Sequence, residues 1–323
     1  MKIFVANTDY EWYRWMLEHP EMDEVNFWRP KGTTNFKALR EGELFFFKLK
    51  KQYHGKIVGF GQFLLFEAMS VADAWSLFET KNGAPTLSAM WRRVAQYADK
   101  KRDANNSTFH RSHRIGTIVI TNPVFFPEQL WVDAPEDWRD TIVTGKSYQI
   151  SEFPGNRIYA ESMRAAELLN SPLFEDLSSI RSSEDVITAH DSRYGKPVLT
   201  RPRLGQGGFR MRIQTVYGKC AVSGEHSMPA LEASHIRPYS DGGRHEISNG
   251  ILLRSDIHKL YDTGYVTIDP DYTFRVSDQL KEDYNNGKTY YSLQDRRILL
   301  PSDENFWPAR ENLDYHRQTV FRG

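Results

Sequence analysis

Three side chains in residues 231–262, LEASHIRPYSDGGRHEISNGILLRSDIHKLYD, have the types and spacing that chemistry needs: His235, Asn249 and His258, with Asp262 four residues further on. Residues 255–262 read as a helix, with Ser255 as its cap and Ile257, Leu260 and Tyr261 at helical spacing for an inner face. On such a helix His258 and Asp262 leave the same face and can grip one divalent ion. The elements that must position them are short. Residues 232–236 read as a strand that ends at Arg237-Pro238, and residues 251–253 as a second apolar strand. Between them, residues 240–243 must turn, because Gly242 and Gly243 can take the positive φ of a tight reversal. His235 then lies on the strand opposite the helix.

This strand, loop, strand and helix resembles the HNH, or ββα-metal finger, nucleases, whose three motif letters His235, Asn249 and His258 match in order and spacing. The resemblance implies that His235 is the general base, that Asn249 holds the finger and orients that imidazole, and that His258 with Asp262 binds the metal. The chemistry such a site performs is hydrolysis of a phosphodiester. A base takes a proton from water attacking phosphorus, and a metal absorbs charge on the phosphate and the leaving oxygen. One position departs from the pattern: many members carry Asp or His before the base, and here that place is Ser234, with Glu232 nearby as a substitute. A nitrogen and a carboxylate with several open positions suit Mg2+ or Mn2+, with Zn2+ or Ni2+ as alternatives.

Composition frames this reading. A chain of 323 residues is long enough for two domains and a connection. Its 42 Lys and Arg balance 42 Asp and Glu, so local patches rather than a global basic field must meet nucleic acid. The single Cys220 excludes an intrachain disulfide and a cysteine-cluster zinc knuckle, and its expected role is packing at the start of the finger. No apolar run approaches a membrane-spanning length, so no membrane partner and a cytoplasmic location are expected.

The first half reads as short strands with a few helices and many aromatic residues, an α+β domain of barrel-like form at 1–150. Residues 3–6, 25–28, 43–49, 57–66 and 116–126 read as strands, the last broken by Pro123. Helices are expected at 10–17, behind the capping run Asn7-Thr8-Asp9, and at 35–39, 71–78 and 87–101. The run Asn26-Phe-Trp-Arg-Pro-Lys-Gly, then Asn35-Phe-Lys-Ala-Leu, Gly42-Glu-Leu-Phe-Phe-Phe-Lys and Ile57-Val-Gly-Phe-Gly, resembles the EVE domain, a PUA-like fold. EVE and the similar YTH domains hold a modified base in an aromatic pocket. That resemblance implies Trp28 as the pocket tryptophan and Asn7 as a reader of the base edge. Stacking on aromatic faces restores part of the energy lost when a base leaves a duplex, and Trp12, Phe36 and Trp75 are further candidates for that role.

Residues 151–200 read as a helical linker, with an amphipathic helix at 159–170 and a serine-rich stretch at 178–185. The nuclease domain is expected at 201–323. From Arg193 to Lys219 there are seven basic residues and no acid until Glu225. With Gly205, Gly207 and Gly208 between them letting the backbone approach phosphates closely, Arg201, Arg203, Arg210 and Arg212 read as a DNA-backbone contact surface beside the finger, with a solvated loop as the alternative.

The two resemblances together imply an EVE-HNH modification-dependent restriction endonuclease, acting on double-stranded DNA that carries 5-methylcytosine or 5-hydroxymethylcytosine reached by base flipping. One HNH site cuts one strand, so a double-strand break needs two protomers, hence a homodimer, or two events. Two alternatives stand beside this. One is an HNH nicking or homing-type enzyme reading unmodified nucleic acid; the other is a catalytically inactive modified-DNA-binding protein, suggested by Ser234.

Overall fold

The structure is a computed structural model that describes residues 1–32, 35–98, 113–169 and 205–323. The chain divides into two compact units, Met1–Arg203 and Leu204–Gly323.

The first unit is built on a six-stranded sheet of β1 (Lys2–Thr8), β2 (Glu24–Arg29), β3 (Leu44–Leu49), β4 (Ile57–Ser70), β5 (Arg114–Phe125) and β6 (Gly145–Gln149). Their order is β2-β5-β4-β3-β1-β6, with β1 and β3 parallel and the other neighbours antiparallel. Every residue of β3 is buried because both faces are covered. Phe45, Phe47 and Leu49 join one core cluster, whereas Leu44 and Phe46 join another on the opposite face, as the two-residue period of a strand requires. Helices α1 (Tyr10–Leu17), α2 (Val71–Phe78) and α3 (Leu87–Ala98) supply Trp12, Met16, Val71, Ala74, Met90 and Val94 to the first cluster. Helix α4 (Gly155–Leu169) supplies Ile158 and Ala165 to the second, so the helix expected in a free linker packs as part of this unit. The rest of the expected linker, at 170–200, lies outside the described residues.

Local signals explain much of this. Asp9 caps α1 by accepting a hydrogen bond from the Trp12 amide at 2.9 Å. Pro123 does not break β5. It falls where the pairing shifts between Phe60 and Gln62, a bulge that absorbs its missing N–H. Two expectations fail. Residues 35–39 are not helical, because Phe36 is drawn into edge contact with Phe4 and Phe63, ring centroids 5.0 and 5.2 Å apart. The sheet is also open rather than a closed barrel: β2 and β6 are its two edges, and the short β6 spends its pairing on Lys2–Ala6 of β1.

The second unit places helix α5 (Gln206–Tyr217) against the hairpin of β7 (Leu231–His235) and β8 (Gly250–Arg254), which runs directly into α6 (Ser255–Asp262). A two-stranded sheet of β9 (Val266–Ile268) and β10 (Phe274–Val276) follows. Phe209, Ile213, Ile251, Leu253, Ile257 and Tyr261 form the core. Gly250 is required at the α5 contact, since a Cβ there would stand 2.4 Å from Ile213 and 2.8 Å from Phe209. The glycine-rich basic stretch is partly helical, with Gly207 and Gly208 buried within α5. Nor does Ser255 cap α6. Arg254 occupies the cap position without a side-chain bond to the helix backbone, and its guanidinium instead grips Asp256 in the first turn at 2.6 and 2.8 Å. The C-terminal helix Arg310–Thr319 packs back on this core, with His316 stacked on Tyr261 at 3.6 Å.

Candidate active site

His235 ends β7, half-buried, its ring stacked on Phe209 with centroids 4.1 Å apart and planes at 11°. Its Nε2 lies 2.8 Å from Nδ1 of His245, a residue of the following turn. Burial first, then the neighbouring His245, Arg210 and His258, push the His235 imidazole down to about 4. At neutral pH it is uncharged and has a lone pair with which to accept a proton. A DNA phosphate beside it would favour the charged form and strengthen it as a base.

Asn249 is 2% exposed and its amide is satisfied on every side. Its Oδ1 accepts from the Arg237 amide at 2.9 Å, and its Nδ2 donates to the carbonyls of Arg237 and Arg244, both at 3.0 Å. Its own carbonyl accepts from Ile236 at 3.0 Å. Asn249 thus acts on the backbone around His235. It closes both ends of the turn that follows His235, and the group on the imidazole is His245. The turn itself depends on glycine: Gly242 has φ +85°, and a Cβ at Gly243 would meet the Arg237 carbonyl at 2.0 Å.

On α6, His258 Nε2 and Asp262 Oδ2 are 3.2 Å apart, and His258 Nδ1 is 2.6 Å from Glu232 Oε2 on β7. That donor set fits a divalent ion. Two donors at about 2.1 Å on an octahedral ion sit ~3.0 Å apart, and a ligating histidine generally gives its other ring N–H to a carboxylate. Among the described residues no group of three or more His, Cys, Asp or Glu side chains gathers that could hold a metal ion. Burial raises the Asp262 carboxyl; nearby His258 partly offsets this and Glu232 adds to it. Ser234 is fully buried, and its hydroxyl donates to the His235 carbonyl at 3.2 Å.

Of the expected DNA-backbone arginines, Arg201 and Arg203 lie outside the described residues. Arg210 and Arg212 are part-exposed on α5, and Arg210 is close enough to His235 to oppose its protonation. Cys220 is buried at the base of the finger, its Sγ accepting from the Ser223 and Arg254 amides, both at 3.3 Å.

Residues 220–269 match the family described as HNH endonuclease. This segment, which contains His235, Asn249, His258 and Asp262, is an endonuclease domain. No curated protein matches the chain. A solved structure titled "Modification dependent TagI restriction endonuclease" is similar at 18% identity and a TM-score of 0.27, covering 35% of this chain and 37% of that one. The chain thus spans little more than a third of that protein's length, and a likeness this low carries no argument. Among the described residues no helix is long and apolar enough to cross a membrane.

In the first unit the expected base-pocket residues separate. Trp12 and Trp28 are 2% and 8% exposed and meet at Asn82-Gly83: the Trp28 indole donates to the Asn82 carbonyl at 3.1 Å, and the Trp12 ring lies over Gly83. Trp75 is part-buried on α2, whose Ala74 carbonyl accepts from Asn82 Nδ2 at 3.1 Å. Phe36 packs elsewhere, on Phe4 and Phe63, and Asn7 donates to the Ile142 carbonyl at 2.6 Å. Sequence reasoning missed Asn26, Asn82 and Thr117. Asn26 Nδ2 donates to Asn82 Oδ1 at 2.8 Å, and Thr117 is the register partner of Trp28. Trp12 Nε1, Asn26 Oδ1 and Thr117 Oγ1 are buried without a hydrogen-bond partner among the described residues. His245 was missed as well. Within Arg244-His245-Glu246 it reads as an ordinary polar turn residue, and only its position ten residues after His235 hinted otherwise.

Proposed function

We propose that the protein is a modification-dependent endonuclease acting on double-stranded DNA, in which the first unit accepts a modified cytosine, methylated or hydroxymethylated at C5, and the second hydrolyses a nearby phosphodiester. The observation that carries the nuclease reading is the neutral His235 imidazole, stacked and hydrogen-bonded at the end of β7 within the segment that matches HNH endonucleases. His235 takes the proton of the attacking water, and Asn249 fixes the turn that carries the neighbouring His245. Arg210 draws the phosphate toward the imidazole. His258 and Asp262 would hold the divalent ion, oriented by Glu232, and the ion would supply Lewis-acid stabilisation of the phosphate and the leaving oxygen. Glu232 on the His258 ring supports an active site despite Ser234, and metal-dependent cleavage tests this reading against the inactive-protein alternative.

The reader assignment rests on the resemblance of the first half to EVE domains and on the unpartnered polar atoms beside Trp28. Native cores rarely leave such groups unpaired, and a hydrogen-bonding ligand would satisfy them. The burial of Trp12 and Trp28 matches core packing and leaves a second reading, in which the unit reads unmodified nucleic acid. Purified protein given methylated and unmethylated copies of one plasmid, with Mg2+ or Mn2+ and with a chelator, separates the two. Metal-dependent cutting of the methylated copy alone supports the first reading, and equal cutting of both establishes the second.

A further inference from the structure

We propose that His245 is a positioning residue for the cleavage reaction: it accepts a hydrogen bond from Nε2–H of His235, which fixes the imidazole tautomer and leaves Nδ1 of His235 as the atom that takes the proton. The inference rests on the assignment of His235 as general base and extends it to a residue that neither the HNH letters nor the metal pair includes.

The geometry carries it. The two imidazoles meet nitrogen to nitrogen at 2.8 Å, so one of them donates and the other accepts. If His245 were the donor, the only free nitrogen of neutral His235 would already bear its proton and could take no other. Only donation by His235 leaves a lone pair on the remaining nitrogen. The ring is also fixed in plane, since Phe209 lies against it at 4.1 Å and also meets His245 with centroids 5.7 Å apart. His245 is itself held in place by the turn, for Asn249 binds the Arg244 carbonyl immediately before it. The chain of support therefore runs from Asn249 through the turn to His245, and from His245 to the base. The charged and titratable groups acting on His235 are Arg210 from α5, His245 from the turn and His258 from α6.

The test uses the full chain with His245→Ala, His245→Asn and His245→Asp, and with His235→Ala alongside. His245→Ala is expected to lower kcat roughly ten- to a hundredfold, the usual cost of losing a group that orients a reactive histidine, with little change in DNA affinity. His245→Asn, whose amide oxygen can take the Nδ1 position as acceptor, is expected to restore most of the rate. His245→Asp places a negative charge beside the ring and should move the acid limb of the rate profile to higher pH, because the protonated imidazole is then favoured. In the metal-free protein, imidazole nitrogen shifts are expected to report the Nε2–H tautomer for His235. Wild-type kcat in His245→Ala with an unmoved pH profile overturns the inference. So does an Nδ1–H tautomer, or a loss in His245→Ala that follows a lowered melting temperature and that His245→Asn does not reverse. Cleavage by His235→Ala would instead overturn the base assignment itself, so the two failures are distinguishable.

Discussion

In the second unit, His235, Asn249, His258 and Asp262 each have a polar partner within 3.2 Å, and the carboxylates of Glu232 and Asp262 stay half-exposed to solvent. In the first unit the aromatic candidates Trp12 and Trp28 are buried, and Trp12 Nε1 with two neighbouring polar atoms, Asn26 Oδ1 and Thr117 Oγ1, has no partner among the described residues. The contrast teaches what each region has to do. A base and metal pair must be assembled before substrate arrives, because catalysis depends on groups already aimed. A closed core with unsatisfied polar atoms is under no such demand: under the proposed reading it would gain a hydrogen-bonding guest only by opening, and the guest would satisfy the orphaned atoms.

The largest expected effect is on the metal pair. His258→Ala and Asp262→Ala should each reduce cleavage strongly at low metal and regain part of it as Mg2+ or Mn2+ is raised, whereas wild type saturates early. Full activity in both variants at every metal concentration would remove the pair from the site. Next comes Trp28. Its loss to alanine should cost ~3 to 5 kcal/mol of stability, as for a core tryptophan, and this is measurable by denaturant melts. A variant that keeps wild-type stability yet loses modified DNA would place Trp28 on an open surface and erase the contrast between the two units.

How much of this was legible beforehand differs between the units for the same physical reason. Capping and periodicity are local, so α1 and α2 begin and end where the Asn7-Thr8-Asp9 run and the apolar spacing put them. The HNH residues were legible because one helix and one hairpin bring them together over a short span of sequence. Long-range packing was not legible. Phe36 left a helical register to meet Phe4 and Phe63, and Gly207 and Gly208 entered a helix despite a propensity cost of about 1 kcal/mol each, because Phe209, Met211 and Ile213 bury there. His245 looked like any turn residue until the turn was folded.

A smaller effect concerns acid stability. His316 is 2% exposed; its Nε2–H donates to the Tyr261 carbonyl at 3.0 Å and its Nδ1 accepts from the Thr267 hydroxyl at 2.9 Å. Burial pushes it down to about 4 from the ordinary 6.5. The unfolded chain therefore binds this proton more readily than the folded one. The contribution is full above about pH 6.5 and is lost as pH falls toward 4, roughly 3 kcal/mol over that window. Urea melts at pH 7 and pH 5 should show the loss in wild type and a smaller one in His316→Gln; equal losses would contradict the assignment.

The smallest effect is the sharpest on the comparison. Thr117→Val removes an unpartnered buried hydroxyl at nearly constant shape, so stability should hold or rise by up to ~1 kcal/mol. If the orphaned atoms serve a base, affinity for methylated DNA should fall in the same variant. A stabilised protein with unchanged affinity would leave Thr117 a core residue.

The central claim is that one unit selects the DNA and the other cuts it. It is tested most directly by His235→Ala measured for both binding and cleavage on methylated and unmethylated copies of one duplex. The account predicts that the variant binds the methylated duplex as wild type does, keeps the preference over the unmethylated one, and cleaves neither. Metal-dependent cleavage at the wild-type rate, or loss of the methyl preference in a folded variant, would contradict it.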